Sequence, residues 1–170
     1  MLRRSSVLRT LGGAALFGGL VALTAYLGSR ATNPQRDPWY QALQKPALQP
    51  PPAAFPVAWT LLYTLIAISA VRVYNRPAGP ARRRALGLWF LQLGLNAAWS
   101  PLFFAMHRPK LALADLVALI AATAAYTAAA RKVDPKAPAL MAPYLAWLVF
   151  AGYLNAEILR LNPGLTEGRG

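Results

Sequence analysis

Five stretches of this chain, 10–29, 46–71, 85–106, 111–130 and 137–156, are each about 20 residues or longer and carry one charge between them, Asp115. About 20 apolar residues cross the hydrocarbon core of a bilayer as a helix. In the second stretch only the part after Phe55 is free enough of proline to be helical. The spacing predicts an all-α polytopic membrane protein, a bundle of five transmembrane helices over about 8–29, 56–74, 85–106, 111–130 and 137–160. Residues 1–170 then form a single transmembrane domain with almost nothing outside the bilayer. A long Pro-rich loop joins helices one and two, with prolines at 34, 38, 46, 50, 51 and 52. Within it a short helix is expected over 38–45, with Asp37 as cap, Pro38 at its first position, and Trp39 and Tyr40 at headgroup level.

Composition removes most other classes. The chain is 56% hydrophobic and 14% charged, unlike an ordinary soluble domain. Its net charge of +13 sits at the ends of the apolar stretches, where cations anchor helices to anionic headgroups, so membrane lipid and not nucleic acid is the expected partner. With no cysteine, thiolate metal sites and disulfides are excluded, and the lone His107 beside Arg108 reads as a solvated helix end. No metal site is expected. Arg3, Arg4 and Arg9 before an apolar run resemble a signal peptide. That run exceeds the usual signal core of about 7–15 residues, which favours a retained first span. Eleven Lys and Arg on the N-terminal side against seven on the other, Arg169 among them, place the N-terminus in the cytoplasm.

Helical spacing sorts the polar and aromatic residues into faces. Gln92, Asn96, Trp99 and Phe103 share one face of the third span, Trp59 and Tyr63 one of the second, and Trp147, Ala151 and Asn155, with Tyr144 nearby, one of the fifth. Carboxamides inside a bilayer need partners within the bundle or a cavity. Two readings stay open: an aromatic pocket with a few hydrogen-bonding groups, or polar glue between helices. Asp115 and Glu157 lie near span ends, close to Arg108 and Lys110 or to Arg160, and are expected to ion-pair or cap there, with proton coupling as the alternative. Gly87, Leu91, Gly94 and Ala98 form a second face of the third span, a candidate homodimer contact. Ala114, Ala118 and Ala122 make a similar stripe on the fourth.

Several segments carry a resemblance. They are Trp39-Tyr40-x-x-Leu43-x-Lys45-Pro46 with Pro50-Pro51, Trp59-Thr60-x-Leu62-Tyr63, Gln92-Leu93-x-Leu95-Asn96-x-x-Trp99-Ser100-Pro101-Leu102-Phe103-Phe104, Asp115, and Pro143-Tyr144-x-x-Trp147-x-x-Phe150-Ala151-x-x-Leu154-Asn155. In this order and over about 10–162, the chain resembles the TspO/MBR family of translocator proteins, relatives of the peripheral-type benzodiazepine receptor. The resemblance implies a five-helix bundle, often dimeric, whose cavity is closed by the loop after the first helix. It implies binding of porphyrins and other tetrapyrroles, haem-like molecules, sterols and benzodiazepine-type ligands, and a part in tetrapyrrole transport or biosynthesis. No cofactor is required. Carried over by motif, the ligand contacts are Trp59, Tyr63, Asn96, Trp99, Trp147 and Ala151, with Trp39 from the loop; spacing adds Phe103. Some members promote light-dependent porphyrin breakdown, for which Trp59 and Trp147 are the matching positions. That leaves receptor or carrier, photodegrading protein and active transporter as readings, with no residue for ordinary acid–base catalysis. The expected location is a bacterial cell membrane, an outer membrane being the alternative. Ala47-Leu48 and Pro56-Val57-Ala58 depart from the family pattern at the loop and the second span, and the strict sterol motif fails because six residues separate Tyr153 from Arg160.

Overall fold

The computed structural model describes residues 2–166, with side chains over 6–164; Arg169 and the side chains of Arg3 and Arg4 lie outside this range. Five long helices are present: α1 (Leu2–Ala31), α3 (Ala54–Tyr74), α4 (Pro80–Ser100), α5 (Pro109–Arg131) and α6 (Ala137–Leu161). Two short ones, α2 (Pro38–Ala42) and α7 (Pro163–Thr166), flank them, and no strand occurs among the described residues. α2 stops at Ala42, short of the expected Lys45, because Leu43 turns extended at ψ 138° and the chain runs into Pro46. Its start is as the sequence implies, with the Asp37 carboxylate accepting from the Trp39 N–H at 3.0 Å.

Four helical segments are long and apolar enough to cross a membrane: Ser6–Ala31, Ala54–Tyr74, Pro109–Arg131 and Ala137–Leu161. α4 is the exception, although the charge-free run 85–106 had the right length. The run is divided at Ser100, where Pro101 lacks an N–H and the chain widens into a π-turn, Pro101–Ala105, with Met106 N–H bonding the Pro101 carbonyl at 2.9 Å. At its other end α4 begins at Pro80 and takes Arg82, Arg83 and Arg84 into its first turns.

The long helices pack in a ring, α1 on α3, α3 on α6, α6 on α5, α5 on α4, and α4 back on α1, with α3 also touching α4 across the middle. The centre is filled by Phe17 of α1, Ile66 and Val73 of α3, Trp89 of α4, Leu116, Leu119 and Tyr126 of α5, and Met141, Tyr144 and Leu148 of α6. Trp89 meets Phe17 edge-to-face at 4.9 Å and donates its indole N–H to the Ile66 carbonyl at 3.2 Å. Gly13 permits the close approach of α1 to α3, since a Cβ there would stand 2.9 Å from the Tyr74 ring. The outward surface carries Leu11, Leu16, Leu23, Val57, Leu61, Val117 and Val149, the apolar belt a bilayer requires.

One end of the bundle is tied by ions. Asp134, 1% exposed in the α5–α6 turn, accepts from Arg72 at 3.1 Å and from Arg76 at 2.8 Å. Burial pushes this carboxyl up, but hydrogen bonds from Arg76, the Lys136 N–H and Arg72 outweigh it and bring it down to about 2. Arg9 and Arg82 both donate to the Tyr74 and Arg76 carbonyls at the end of α3, satisfying groups a helix terminus leaves open.

Candidate functional site

Three helices meet mid-bundle through two hydrogen bonds. The Tyr63 hydroxyl of α3 donates to Asn96 Oδ1 of α4 at 2.7 Å, and Asn96 Nδ2 donates to the Tyr144 hydroxyl of α6 at 2.8 Å. Asn96 is 8% exposed and Tyr144 fully buried, and a buried carboxamide is tolerated only when paired in this way. The Trp59 ring, one turn before Tyr63, lies 5.1 Å from it, 6.3 Å from Tyr144, and 6.2 Å from Trp147 at 81°. Such near-perpendicular rings set a positive edge against a negative face. Ala151, one turn after Trp147, is half-buried beside this group.

A second aromatic cluster lies under the loop. Trp99 stacks on Phe103 at 5.2 Å, and the buried Phe103 is clasped by Trp39 at 5.7 Å, Tyr40 at 6.3 Å and Phe104 at 4.9 Å. Trp99 packs against both clusters. Its indole N–H donates to Asn155 Oδ1 at 3.4 Å, while Asn155 Nδ2 donates to the Pro109 carbonyl at 3.0 Å. The spacing from Gln92 to Phe103 therefore delivers one inward face, and the π-turn carries Phe103 onto it beneath α2.

The loop is held at three points. His107 sits at φ 50°, a left-handed conformation uncommon for a side-chain-bearing residue. There its ring stacks on Trp39 at 4.5 Å and its Nε2 lies 3.1 Å from Asp37 Oδ2, so it is a structural contact and not merely a solvated helix end. Gln44 donates its N–H to Asn162 Oδ1 at 2.7 Å and accepts from Asn162 Nδ2 at 3.0 Å, tying the loop to the end of α6. Lys45 donates to the Tyr40 and Leu43 carbonyls with its ammonium over the Tyr40 ring, and burial lowers its pKa.

The eight expected ligand contacts thus fall in two connected groups: Trp59, Tyr63, Asn96, Trp147 and Ala151 at the hydrogen-bonded centre, and Trp99, Phe103 and Trp39 under the loop. Tyr144 and Asn155, on the same stripe as Trp147 but outside that set, are the hydrogen-bond partners that join α6 to it. Their offsets, three residues before Trp147 and four after Ala151, carried the signal. Asn162 and Asp134 had none, lying in turns without periodicity. Trp147 also lines an open apolar groove of about 460 Å³ between α3 and α6, with Ala58, Leu61, Leu62, Pro143, Ala146 and Phe150.

Of the two acids, Glu157 pairs with Arg160 at 2.8 Å as expected. Asp115 does not pair with Arg108 or Lys110: its Oδ2 is buried without a partner, and it makes no ion pair among the described residues. Arg108 and Lys110 sit exposed at the helix start, while Asp115, further along α5, is half-buried in the bundle. Gly87, Leu91 and Gly94 are exposed on the outer face of α4 and Ala98 is half-buried. Ala114 and Ala118 are exposed and Ala122 buried, so the α5 stripe is not one continuous face.

A helical bundle with an apolar outer belt, four segments long and apolar enough to cross a membrane and an aromatic, carboxamide-centred interior defines an integral membrane protein. This chain belongs to the TspO/MBR family, whose model matches residues 17–161. It is 37% identical to the translocator protein of Homo sapiens over 150 residues, covering 87% of this chain and 89% of that protein. It is 40% identical to protein CrtK of Rhodobacter capsulatus over 128 residues, 74% of this chain and 79% of CrtK. It is 39% identical to the tryptophan-rich sensory protein of Cereibacter sphaeroides over 133 residues, 78% and 82% of the two chains.

Proposed function

We propose that this protein is a membrane receptor or carrier for porphyrins and other tetrapyrroles that regulates their transport or biosynthesis. The observation that carries the reading is the Tyr63–Asn96–Tyr144 cluster walled by Trp59, Trp99 and Trp147. Flat macrocycles stack on indole faces, and breaking the Tyr63–Asn96 bond frees a phenol and a carboxamide for the polar edge. The α3–α6 groove supports entry from the lipid side, with Trp147 at its wall. Arg36, exposed in the loop, suits a porphyrin carboxylate better than Lys45, whose ammonium is already engaged. Haem-like molecules, sterols and benzodiazepine-type ligands fit the same apolar site and are tested as competitors. Protoporphyrin should quench tryptophan fluorescence saturably, with affinity falling at least tenfold across Trp59→Phe, Trp99→Phe and Trp147→Phe combined. Unchanged affinity would sink the assignment.

In this reading α4 and its π-turn form the fifth span of the bundle, its arginines at the headgroups of a bacterial cell membrane. Gly87, Leu91, Gly94 and Ala98 form a homodimer contact, a role supported by the open space around both glycines. Two further readings rest on single observations. The Trp59–Trp147 pair favours light- and oxygen-dependent porphyrin breakdown, tested by bleaching of the bound pigment against free pigment. The unpaired oxygen of Asp115 favours coupled transport, tested by porphyrin flux into proteoliposomes with Asp115→Asn.

A further inference from the structure

Gln92 lies one turn before Asn96 on the inward face of α4 and is 0% exposed, yet neither its Oε1 nor its Nε2 meets a hydrogen-bonding atom. Asn96, in the same helix, uses both ends of its carboxamide. A second orphan lies on the neighbouring helix. Thr123 of α5 is likewise 0% exposed, and its hydroxyl has no partner. It is an exception among the described threonines of the long helices. Thr10, Thr24, Thr60, Thr64 and Thr127 each donate to the carbonyl four residues earlier, the usual resort of a helical hydroxyl. Thr123 forgoes that bond, and its Oγ1 is left without any partner.

The two orphans lie at one height. α4 and α5 are consecutive antiparallel helices and pack on each other more extensively than any other pair. Gln92 stands 15 residues before His107 in the intervening turn and Thr123 stands 16 after it. Counted along the helices, Gln92 lies eight residues before the end of α4 at Ser100, with the five-residue π-turn beyond it. Thr123 lies 14 after the start of α5 at Pro109. At about 1.5 Å per residue, less in the π-turn, the two heights match to within about a turn. We infer that Gln92 and Thr123 line an internal hydration site in the α4–α5 seam that holds at least one ordered water. The chemistry selects water: a carboxamide presents two donors and an acceptor, a hydroxyl one of each, and a buried water makes about three bonds to such groups. Neither side chain carries the charge a cation would need, and an apolar molecule would leave every bond unmade. The hydrated seam does not depend on the ligand reading, but it places a displaceable polar molecule one turn from Asn96.

The test uses the full chain in nanodiscs. With side-chain amides labelled and the Gln92 signal assigned by its loss in Gln92→Leu, magnetisation should transfer from water to the Gln92 amide. Gln92→Leu, close in volume, should lower the thermal midpoint by about 2–6 °C, since it strands the water and Thr123. The loss in Gln92→Leu/Thr123→Val should be smaller than the sum of the single losses. No transfer from water in the wild-type protein, or a midpoint that rises in Gln92→Leu, overturns the inference, because a dry orphan carboxamide is improved by an apolar replacement.

Discussion

Asn96 shows how much rests on single side chains. It is acceptor for Tyr63 and donor to Tyr144, so removing it leaves two phenols unpaired in an apolar interior. Asn96→Ala should cost about 2–4 kcal/mol, against about 1 kcal/mol for Tyr63→Phe, read from thermal unfolding in detergent. Equal losses would mean that Asn96 acts through packing alone. Asp134 makes the corresponding argument for charge. Its folded pKa, about 2, lies below the ordinary aspartate value near 3.9. The depressed value means that its stabilisation is present above pH about 4 and is lost as pH falls through 2. Asp134→Asn should therefore be about 2 kcal/mol less stable at pH 6, the figure reduced for the partly exposed arginines, with the gap closing towards pH 2. A gap independent of pH would refute the ion-pair account.

Among the elements, the loop and the π-turn depend on each other. His107 in its left-handed position brings Asp37 and Trp39 against the turn between α4 and α5, and Asn162 grips Gln44 from α6. His107→Ala removes the Asp37 and Trp39 contacts and leaves the helices untouched. Hydrogen exchange over 38–49 should quicken about tenfold while α3 and α6 keep their protection; uniform quickening would show that the residue serves global stability instead. Pro101 explains why a periodicity that runs true from Gln92 to Trp99 still reaches Phe103 at a usable angle. The sequence shows the proline, but the size of the turn it produces depends on which carbonyl Met106 can reach.

For the molecule as a whole, the dimer contact proposed on the outer face of α4 can be tested apart from stability. A Cβ on Gly94 would meet nothing within 4 Å, so Gly94→Leu should leave the protomer's unfolding midpoint within about 2 °C and yet shift crosslinking in lipid from dimer to monomer. A dimer that survives would move the contact elsewhere. The four apolar helices, the order of the long helices, the inward faces of α3, α4 and α6 and the cap at Asp37 were legible in the chain, because each rests on local periodicity or a local hydrogen bond. The resemblance to the TspO/MBR family was legible too, because its motifs keep their order and spacing. Partnership was not. That Tyr144 completes Asn96, that Asn155 braces Trp99, that Asp134 gathers Arg72 and Arg76, and that Asp115 and Gln92 keep unpaired atoms all depend on which residues far apart in the chain, 48 to 62 positions for the bonds made, come within hydrogen-bonding distance. A linear pattern says which way a side chain points. Only the packing of the five helices supplies what it meets, and hydrogen bonds, being short and directional, are made or missed on that difference.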